Sequence, residues 1–150
     1  MKELFIDNLV LSEAIDNLIQ AGHHVKLRVK GRSMFPFLVN NRDTVTLVPF
    51  DHTLKIGMIL FYRYKNQSML HRLIRIEGEQ LIMAGDGNWN QTETIKPADI
   101  IAVADFVERK GIPINCKRNL LWRLCSYLWI KTYFCRKYEL IVARKINCVK

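Results

Sequence analysis

The sequence predicts a mainly β protein, in which a compact antiparallel β domain is flanked by an N-terminal amphipathic helix and a C-terminal basic, apolar helix. Three observations support this fold class. Apolar residues recur with a period of two through the middle of the chain, turn-forming pairs separate these runs, and the period becomes helical at both ends. The 150 residues, 49% hydrophobic and 25% charged, suit one modest domain and argue against disorder.

The first segment, Leu4 to Ala21, is predicted to be an amphipathic helix. Its apolar residues have helical spacing with acidic residues between them, and Gly22 follows as a favourable residue just past a helix end. An acidic start is not typical of a signal peptide. A membrane-spanning helix needs about 20 predominantly apolar residues, so we expect no membrane span here. We assign residues 1–24 to this helical segment.

From Val25 the period changes to two, which predicts a β domain over residues 25–116. Apolar residues alternate with basic or polar ones in several short runs. Turn signals separate the runs, at Asn40–Asn41, Asp51–His52, Asn66–Gln67, Glu77–Gly78 and Asp86–Gly87. One predicted strand, Leu70 to Ile76, has His71 near its start.

Residues 117–150 form a tail of different composition. They carry nine Lys and Arg against one Glu, a net charge of +8, whereas the chain as a whole has +9. The basicity is therefore a property of the tail. Leucine, tryptophan and tyrosine between Leu120 and Phe134 predict a strongly apolar helix, which Arg123 and Lys131 interrupt.

Three roles for this tail helix follow from its composition. Peripheral membrane contact is favoured because tryptophan and tyrosine suit the headgroup boundary and cations attract anionic lipid. Packing on the β domain, with the cations reaching into water, is nearly as well supported. Nucleic-acid binding ranks lowest because the apolar fraction is too high for a surface that binds a polyphosphate. We expect a cytoplasmic protein or one peripheral at the membrane.

The four cysteines all fall at the start of the tail or within it, at Cys116, Cys125, Cys135 and Cys148. There is no Cys-x-x-Cys pair and no paired histidines nearby, so the spacing argues against a zinc site. We expect free thiols in a reducing compartment, although an even number of cysteines leaves disulfides open. No cofactor and no metal is predicted.

A serine lies on a predicted tight turn after the first strand of the β domain. Residues 31–38 read Gly-Arg-Ser-Met-Phe-Pro-Phe-Leu, which puts Ser33 in the turn, and His71 follows 38 residues later. Serine is a poor nucleophile until a partner removes its proton, and histidine is the commonest partner. Taken singly, Ser33 could be only a turn residue and His71 only a surface or core histidine.

The motifs around these two residues resemble those of the signal peptidase I and SOS-repressor superfamily of serine peptidases. Residues 31–38 match its nucleophile box, Gly-x-Ser-Met-x-Pro-x-Leu, at each defined position. Residues 41–49 are similar to its Arg-Gly-Asp-x-Val-x-Val segment, and residues 54–61 to its Leu-Lys-x-Gly-Asp-Ile-Val-x-Phe strand.

The resemblance continues in the family's order. His71 and Arg72 are similar to the His-Arg of the endoplasmic-reticulum and archaeal branch, in which histidine replaces the lysine base. Residues 85–88, Gly-Asp-Gly-Asn, resemble the turn that follows. The motifs cover about residues 25–104. The implied fold is a coiled β-sheet structure in which nucleophile and base approach from separate strands.

The resemblance implies roles for the site residues. Ser33 is the nucleophile, His71 the general base, and the backbone N–H of Ser33 the oxyanion donor. Where the family has an aspartate that orients the histidine, this chain reads Asn-Gln-Thr-Glu-Thr over residues 90–94. Asp86 and Glu93 are equal candidates for that acid, and a dyad without an acid stays open.

The implied substrate is an extended peptide, added as a strand beside the sheet edge near residues 25–30, with small residues before the cut. The predicted contacts are Val29, Gly31, Met34 and Pro36. Some relatives carry a serine hydroxyl as a second oxyanion donor two residues before the nucleophile, where this chain has Gly31.

The sequence thus predicts a serine endopeptidase that cleaves a leader or signal segment from a peptide or protein substrate by a Ser33–His71 dyad. Bacterial signal peptidases have a membrane-spanning segment at the N-terminus, and its absence here favours a dedicated substrate over general secretion. Two alternatives stay open. They are a catalytically inactive peptide-binding module of the same fold and a self-cleaving regulatory domain, although the 24 residues before the β region are too few for a helix-turn-helix and a linker.

Overall fold

The computed structural model describes residues 8–148. Its helices are α1 (Asn8–Gln20), α2 (Leu120–Lys131) and α3 (Arg136–Cys148). Its strands are β1 (Val25–Arg28), β2 (Asp43–Pro49), β3 (Ile59–Tyr64), β4 (Gln67–Glu77), β5 (Gln80–Ala84), β6 (Glu93–Ile95), β7 (Ile100–Arg109) and β8 (Ile112–Asn115). The predicted helix start at Leu4 lies outside the described residues.

These strands form one antiparallel sheet with the order β1-β2-β7-β3-β4-β5-β6, and β8 pairs with the second half of β7. The sheet is open, with β1 and β6 at its two ends. A helix precedes the strands and helices follow them, so the predicted mainly β class with helical flanks is confirmed.

The hairpin of β3 and β4 fixes the register around His71. Lys65 and Asn66 have φ of 46° and 60°, as expected for a two-residue turn with both central residues left-handed. This register pairs Leu60 with His71. The sequence signal placed the turn one residue later, at Asn66–Gln67, and a slip of one residue would turn every side chain of the strand to the other face.

The core has two parts, one on each face of the sheet. Successive residues of β3 alternate between them, since Phe61 belongs to one part and Tyr62 to the other. The first part also contains Ile15 and Ile19 of α1 and Trp122 of α2. Helices therefore cover this face, while the Tyr62 face packs side chains of β3, β4, β5, β6 and β7 together.

The predicted apolar face of α1 is only partly buried. Ile15 and Ile19, four residues apart, reach the core, whereas Leu9, Leu11 and Leu18 are exposed. The helix packs mainly against β4, β7, β1 and β2, and its Asp16 also pairs with Arg63 of β3.

The tail forms two helices instead of the single one predicted. Asn119 caps α2, with its side chain accepting from the N–H of Trp122 at 2.8 Å. The helix ends at Lys131 with Thr132 as its C-cap, and a 3-10 turn at Tyr133–Cys135 separates it from α3. Within the described residues, no helix has the length and apolar character to cross a bilayer.

Cys116, Cys125 and Cys135 are free thiols. Burial raises the pKa of the Cys116 thiol to about 12, so this thiol stays protonated at neutral pH. The side chain of Cys148 lies outside the described part of the chain.

Candidate active site

Ser33 lies in a loop that leaves the sheet after β1 and returns at β2. Gly31 has a φ of 86°, a left-handed conformation that favours glycine, and its N–H donates to Asn40 Oδ1 at 2.9 Å. Met34 and Leu38 anchor the loop, because both side chains are buried in the core and the N–H of Leu38 donates to the carbonyl oxygen of Met34 at 2.8 Å. Ser33 itself is half-buried. We call residues 31–38 the nucleophile loop.

The turn at residues 85–88 packs directly against this loop. The N–H of Gly87 donates to the carbonyl oxygen of Ser33 at 2.7 Å. A Cβ on Gly87 would lie 2.3 Å from the carbonyl oxygen of Arg32, and one on Gly85 would lie 2.4 Å from that of Ser33. Since real Cβ contacts are longer, both glycines are required by the close approach of the two backbones.

His71 faces this junction from β4, with a side chain that is 3% exposed. Its Nδ1 lies 2.9 Å from Glu93 Oε2, at the start of β6. In the tautomer that has its proton on Nδ1, His71 donates to the Glu93 carboxylate through this contact, and Nε2 is left as the acceptor. That tautomer is the one a general base needs when a carboxylate orients it.

Tyr62 on β3 completes this buried group. Its hydroxyl donates to Glu93 Oε2 at 3.0 Å and lies 3.3 Å from His71 Nδ1. Burial, together with the charge of Glu93 and the hydrogen bond to it, raises the pKa of Tyr62 above its ordinary value. Tyr62 therefore stays protonated, and one carboxylate oxygen receives donors from two sides.

Sequence reasoning missed Tyr62. The two-residue period of Leu60, Tyr62 and Tyr64 puts these side chains on one face of β3. In an antiparallel pair, the residue two positions from a directly opposed pair is a diagonal neighbour within reach of an aromatic side chain. Leu60 opposes His71, so the β3–β4 register was the signal that could have identified Tyr62.

Ser33 and His71 approach the same glycine from separate parts of the fold. His71 Nε2 lies 3.2 Å from the position of a Cβ on Gly85, close to the backbone of Ser33. Within residues 8–148, no hydrogen bond joins the Ser33 hydroxyl to His71, and none uses the backbone N–H of Ser33. Catalytic hydrogen bonds are often long before substrate binds. The unbonded N–H is a donor of the kind that a developing oxyanion requires.

Asp86, the other candidate for the orienting acid, has a different partner. Its two carboxylate oxygens accept from Arg72 Nε and Nη2, both at 2.7 Å, and both side chains are fully buried. Arg72 Nη1 donates to the carbonyl oxygen of Gly57 at 2.8 Å and to Ser126 Oγ at 2.9 Å. The structure therefore brings Glu93, and not Asp86, to His71.

Helix α2 packs on the same arginine and on the nucleophile loop. Phe37 lies under the Arg72 guanidinium, 4.5 Å from Cζ to the ring centroid, and contacts Trp122 and Trp129 edge-on at 5.3 and 5.8 Å. Trp129 Nε1 donates to the carbonyl oxygen of Asp86 at 3.2 Å. The sequence predicted that these tryptophans suit a membrane interface. In the structure they face the β domain, where both pack on Phe37.

A third buried carboxylate supports the end of the nucleophile loop. Asp43 accepts from Arg42 Nε at 2.7 Å and from the N–H of Val39 at 2.9 Å. Arg109 reaches it at 3.4 Å while donating to the carbonyl oxygen of Phe37 at 2.7 Å. Burial alone would raise the pKa of Asp43, but these hydrogen bonds and the arginine charges outweigh it and hold that pKa below its ordinary value.

The four predicted substrate contacts divide into two groups. Val29 and Met34 are buried core residues, because alternate positions of β1 and the loop turn inward, so they support the site instead of lining it. Gly31 is exposed and Pro36 half-buried. At the sheet's end, β1 pairs with β2 alone, which leaves its other edge without a strand partner in the described residues.

Two comparisons of the chain with known proteins gave no match. No protein-family model matches the sequence, and no curated protein matches it.

Proposed function

We propose that the protein is a serine endopeptidase in which Ser33 is the nucleophile, His71 the general base and Glu93 the acid that orients it. The observation that carries this proposal is the buried contact of His71 Nδ1 with Glu93, at 2.9 Å, combined with the position of Nε2 beside Gly85 and the Ser33 backbone. The resemblance of the motifs to Ser-His signal peptidase-like enzymes adds an independent argument from sequence.

In the proposed chemistry, His71 acts first as base and then as acid in each half-reaction. His71 Nε2 takes the proton of the Ser33 hydroxyl as its oxygen attacks the peptide carbonyl, and Glu93 stabilises the imidazolium that forms. The backbone N–H of Ser33 donates to the oxyanion. His71 then gives its proton to the leaving amine, and a water molecule, activated in the same way, hydrolyses the acyl-enzyme.

The proposed substrate is an extended peptide segment, such as a leader, that adds to the open edge of β1. The chain continues from β1 through Val29 into the nucleophile loop. The N–H of Val29 points toward β2 and donates to the carbonyl oxygen of Asp43 at 2.9 Å, so it does not use the open edge. A peptide paired along β1 would therefore run toward the loop that carries Ser33. Main-chain hydrogen bonds would supply affinity, and the side chains beside the loop would supply selectivity.

A catalytically inactive peptide-binding module is the second candidate. It is favoured by one observation, namely that the Ser33 hydroxyl makes no hydrogen bond to His71 within residues 8–148. The free β1 edge would serve this function equally well.

Labelling with a fluorophosphonate probe, read by intact-mass and peptide mass spectrometry, separates the two candidates. We expect a single adduct on Ser33 in the wild-type protein, and loss of labelling in Ser33→Ala and in His71→Ala. A peptide-library digest should show cleavage that both variants lose by about 10⁴-fold or more, with the double variant no worse than the singles.

Ser68→Ala is the matched control, because Ser68 lies on β4 like His71 but its hydroxyl is hydrogen-bonded to that of Ser12, outside the proposed site. This variant should keep the adduct and the cleavage. An unlabelled wild-type protein that cuts no library peptide yet binds extended peptides would contradict the peptidase and support the binding module.

A further inference from the structure

Helix α2 carries large apolar or aromatic side chains on both of its faces, although only one face is buried. The face toward the domain has Trp122 and Ser126 buried, 8% and 5% exposed, with Trp129 one turn further along. The opposite face has five large apolar or aromatic side chains that are between 52% and 75% exposed, namely Leu120, Leu121, Leu124, Tyr127 and Leu128. Residues three and four apart lie on one side of a helix, so these five form a continuous stripe. We call it the outer stripe.

An exposed stripe of this kind needs a physical reason. A surface helix ordinarily presents polar residues to water on the face opposite the core. Soluble monomers rarely expose large contiguous apolar patches, and such patches mark sites where another surface docks. The outer stripe therefore indicates an interaction surface, and the charges around it identify the partner.

Cations border the outer stripe without acidic neighbours on the same element. Arg118, Arg123 and Lys131 are exposed, and Lys131 Nζ lies 5.4 Å from the ring centroid of Tyr127. The sequence has no Asp or Glu between Glu108 and Glu139. A surface of apolar side chains bordered by cations is complementary to a bilayer with anionic headgroups.

Helix α3 repeats the pattern. Its exposed apolar side chains also recur at helical spacing, at Tyr138, Ile141, Val142 and Ile146, and Arg144 and Lys145 beside them are exposed. Leu140 faces inward and is 2% exposed. Two successive helices thus present apolar faces with basic neighbours, which a chance exposure of one helix would not produce.

We propose that the outer stripe of α2 is a docking surface for an anionic lipid bilayer. The apolar side chains enter the boundary between headgroups and acyl chains, and Arg118, Arg123 and Lys131 contact the headgroups. Because the inner face of α2 packs on Phe37 and Arg72, docking holds the nucleophile loop about one helix diameter, roughly 10 Å, from the lipid. This proposal does not depend on catalysis by Ser33.

Co-sedimentation of the full chain with vesicles tests it. We expect binding to phosphatidylcholine vesicles that contain 30% phosphatidylglycerol, weak binding to pure phosphatidylcholine, and a decrease as salt is added. Neutralising one cation, as in Arg123→Gln, should weaken binding about fivefold. The variant Leu121→Gln/Leu124→Gln should weaken it by more than tenfold at an unchanged melting temperature, since both side chains are already in water.

Ile76→Gln/Ile112→Gln is the matched control, because these side chains are 39% and 67% exposed at the ends of β4 and β8. It should bind vesicles like the wild type. Equal binding of the Leu121/Leu124 variant and the wild type would overturn the proposal, as would a wild type that binds neither kind of vesicle. A lipid-free dimer in light scattering that Leu121→Gln/Leu124→Gln dissociates would assign the stripe to a second copy of the chain and would also overturn it.

Discussion

His71 and Arg72 are neighbours on β4, yet they contact two different buried carboxylates on opposite faces of the sheet. His71 contacts Glu93 on the face that carries Tyr62, whereas Arg72 contacts Asp86 on the face that α2 covers. Successive side chains of a strand point to opposite faces, so one dipeptide supplies both pairs.

The two pairs differ in what they leave unbonded. Arg72 uses Nε, Nη1 and Nη2, and its partners come from three separate segments of the chain. His71 is bonded on its Nδ1 side, while Nε2 lies beside Gly85 without a hydrogen bond to any described residue. A permanent cation with all its nitrogens engaged can connect elements but cannot move a proton. In the tautomer with its proton on Nδ1, His71 keeps an acceptor at Nε2, which is what the proposed general base requires.

Removing the charge from Glu93 should therefore affect mainly turnover, whereas removing it from Asp86 should affect mainly stability. We expect Glu93→Gln to lower the turnover of a cleaved peptide by about 10⁴-fold with little change in melting temperature, because the wrong imidazole tautomer is then favoured. We expect Asp86→Asn to cost about 3–5 kcal/mol of unfolding free energy, because it leaves the buried Arg72 charge without its counter-ion. Peptide kinetics and denaturant unfolding of both variants measure these effects.

A double variant distinguishes loss of the pair from loss of one partner. Arg72→Gln/Asp86→Asn removes both charges, so it should be less destabilised than the sum of the two single variants. Equal loss of turnover in Glu93→Gln and Asp86→Asn, at equal stability, would contradict the division of roles between the two faces.

Much of the fold was predictable because it depends on local pattern. The alternation of apolar and polar residues from Val25 onward predicted strands in the region of β1 to β4, and the turn signals fall close to the ends of β2, β3, β4 and β5, whereas β6, β7 and β8 were not predicted individually. The choice between Asp86 and Glu93 was not predictable. Seven residues lie between Gly85 and Glu93, so the chain pattern does not specify which face of β6 the glutamate occupies.

Tyr62 and α2 show the same limit. The turn signal at Asn66–Gln67 is one residue from the observed turn, and that shift is enough to hide the diagonal contact of Tyr62 with His71. For α2, helical spacing predicted the helix but not which side meets the domain, because apolar residues occur all around it. Packing against Phe37 and Arg72 decides that question, and it is a long-range contact.

The hydroxyl of Tyr62 provides a smaller test of the face that carries His71. Tyr62→Phe removes one hydrogen-bond donor from Glu93 and keeps the aromatic ring in the core. Because one hydrogen bond to a charged group is lost, we expect turnover to fall about tenfold while KM stays unchanged. Tyr64→Phe, two residues along the same strand, is the matched control and should retain wild-type kinetics. A raised KM with unchanged turnover in Tyr62→Phe would place the hydroxyl in substrate binding instead.

Asp43 extends the comparison to a third buried carboxylate, one whose effect should appear in the acid stability of the fold. Its pKa is lower in the folded protein than its ordinary value of 3.8, so its contribution to stability is present above that pH and is lost as the pH falls through the folded-state pKa. One such group adds at most about 1.4 kcal/mol per pH unit to the slope of unfolding free energy. We therefore expect the unfolding free energy, measured in urea between pH 5 and about pH 2, to change less steeply with pH in Asp43→Asn than in the wild type.

The exposed Asp51, whose pKa is lowered first by a hydrogen bond from the N–H of Thr53, supplies the control variant Asp51→Asn, which should change this slope less. Identical slopes in the wild type and Asp43→Asn would contradict this expectation and would mean that the negative charge of Asp43 does not contribute to the stability of the nucleophile loop.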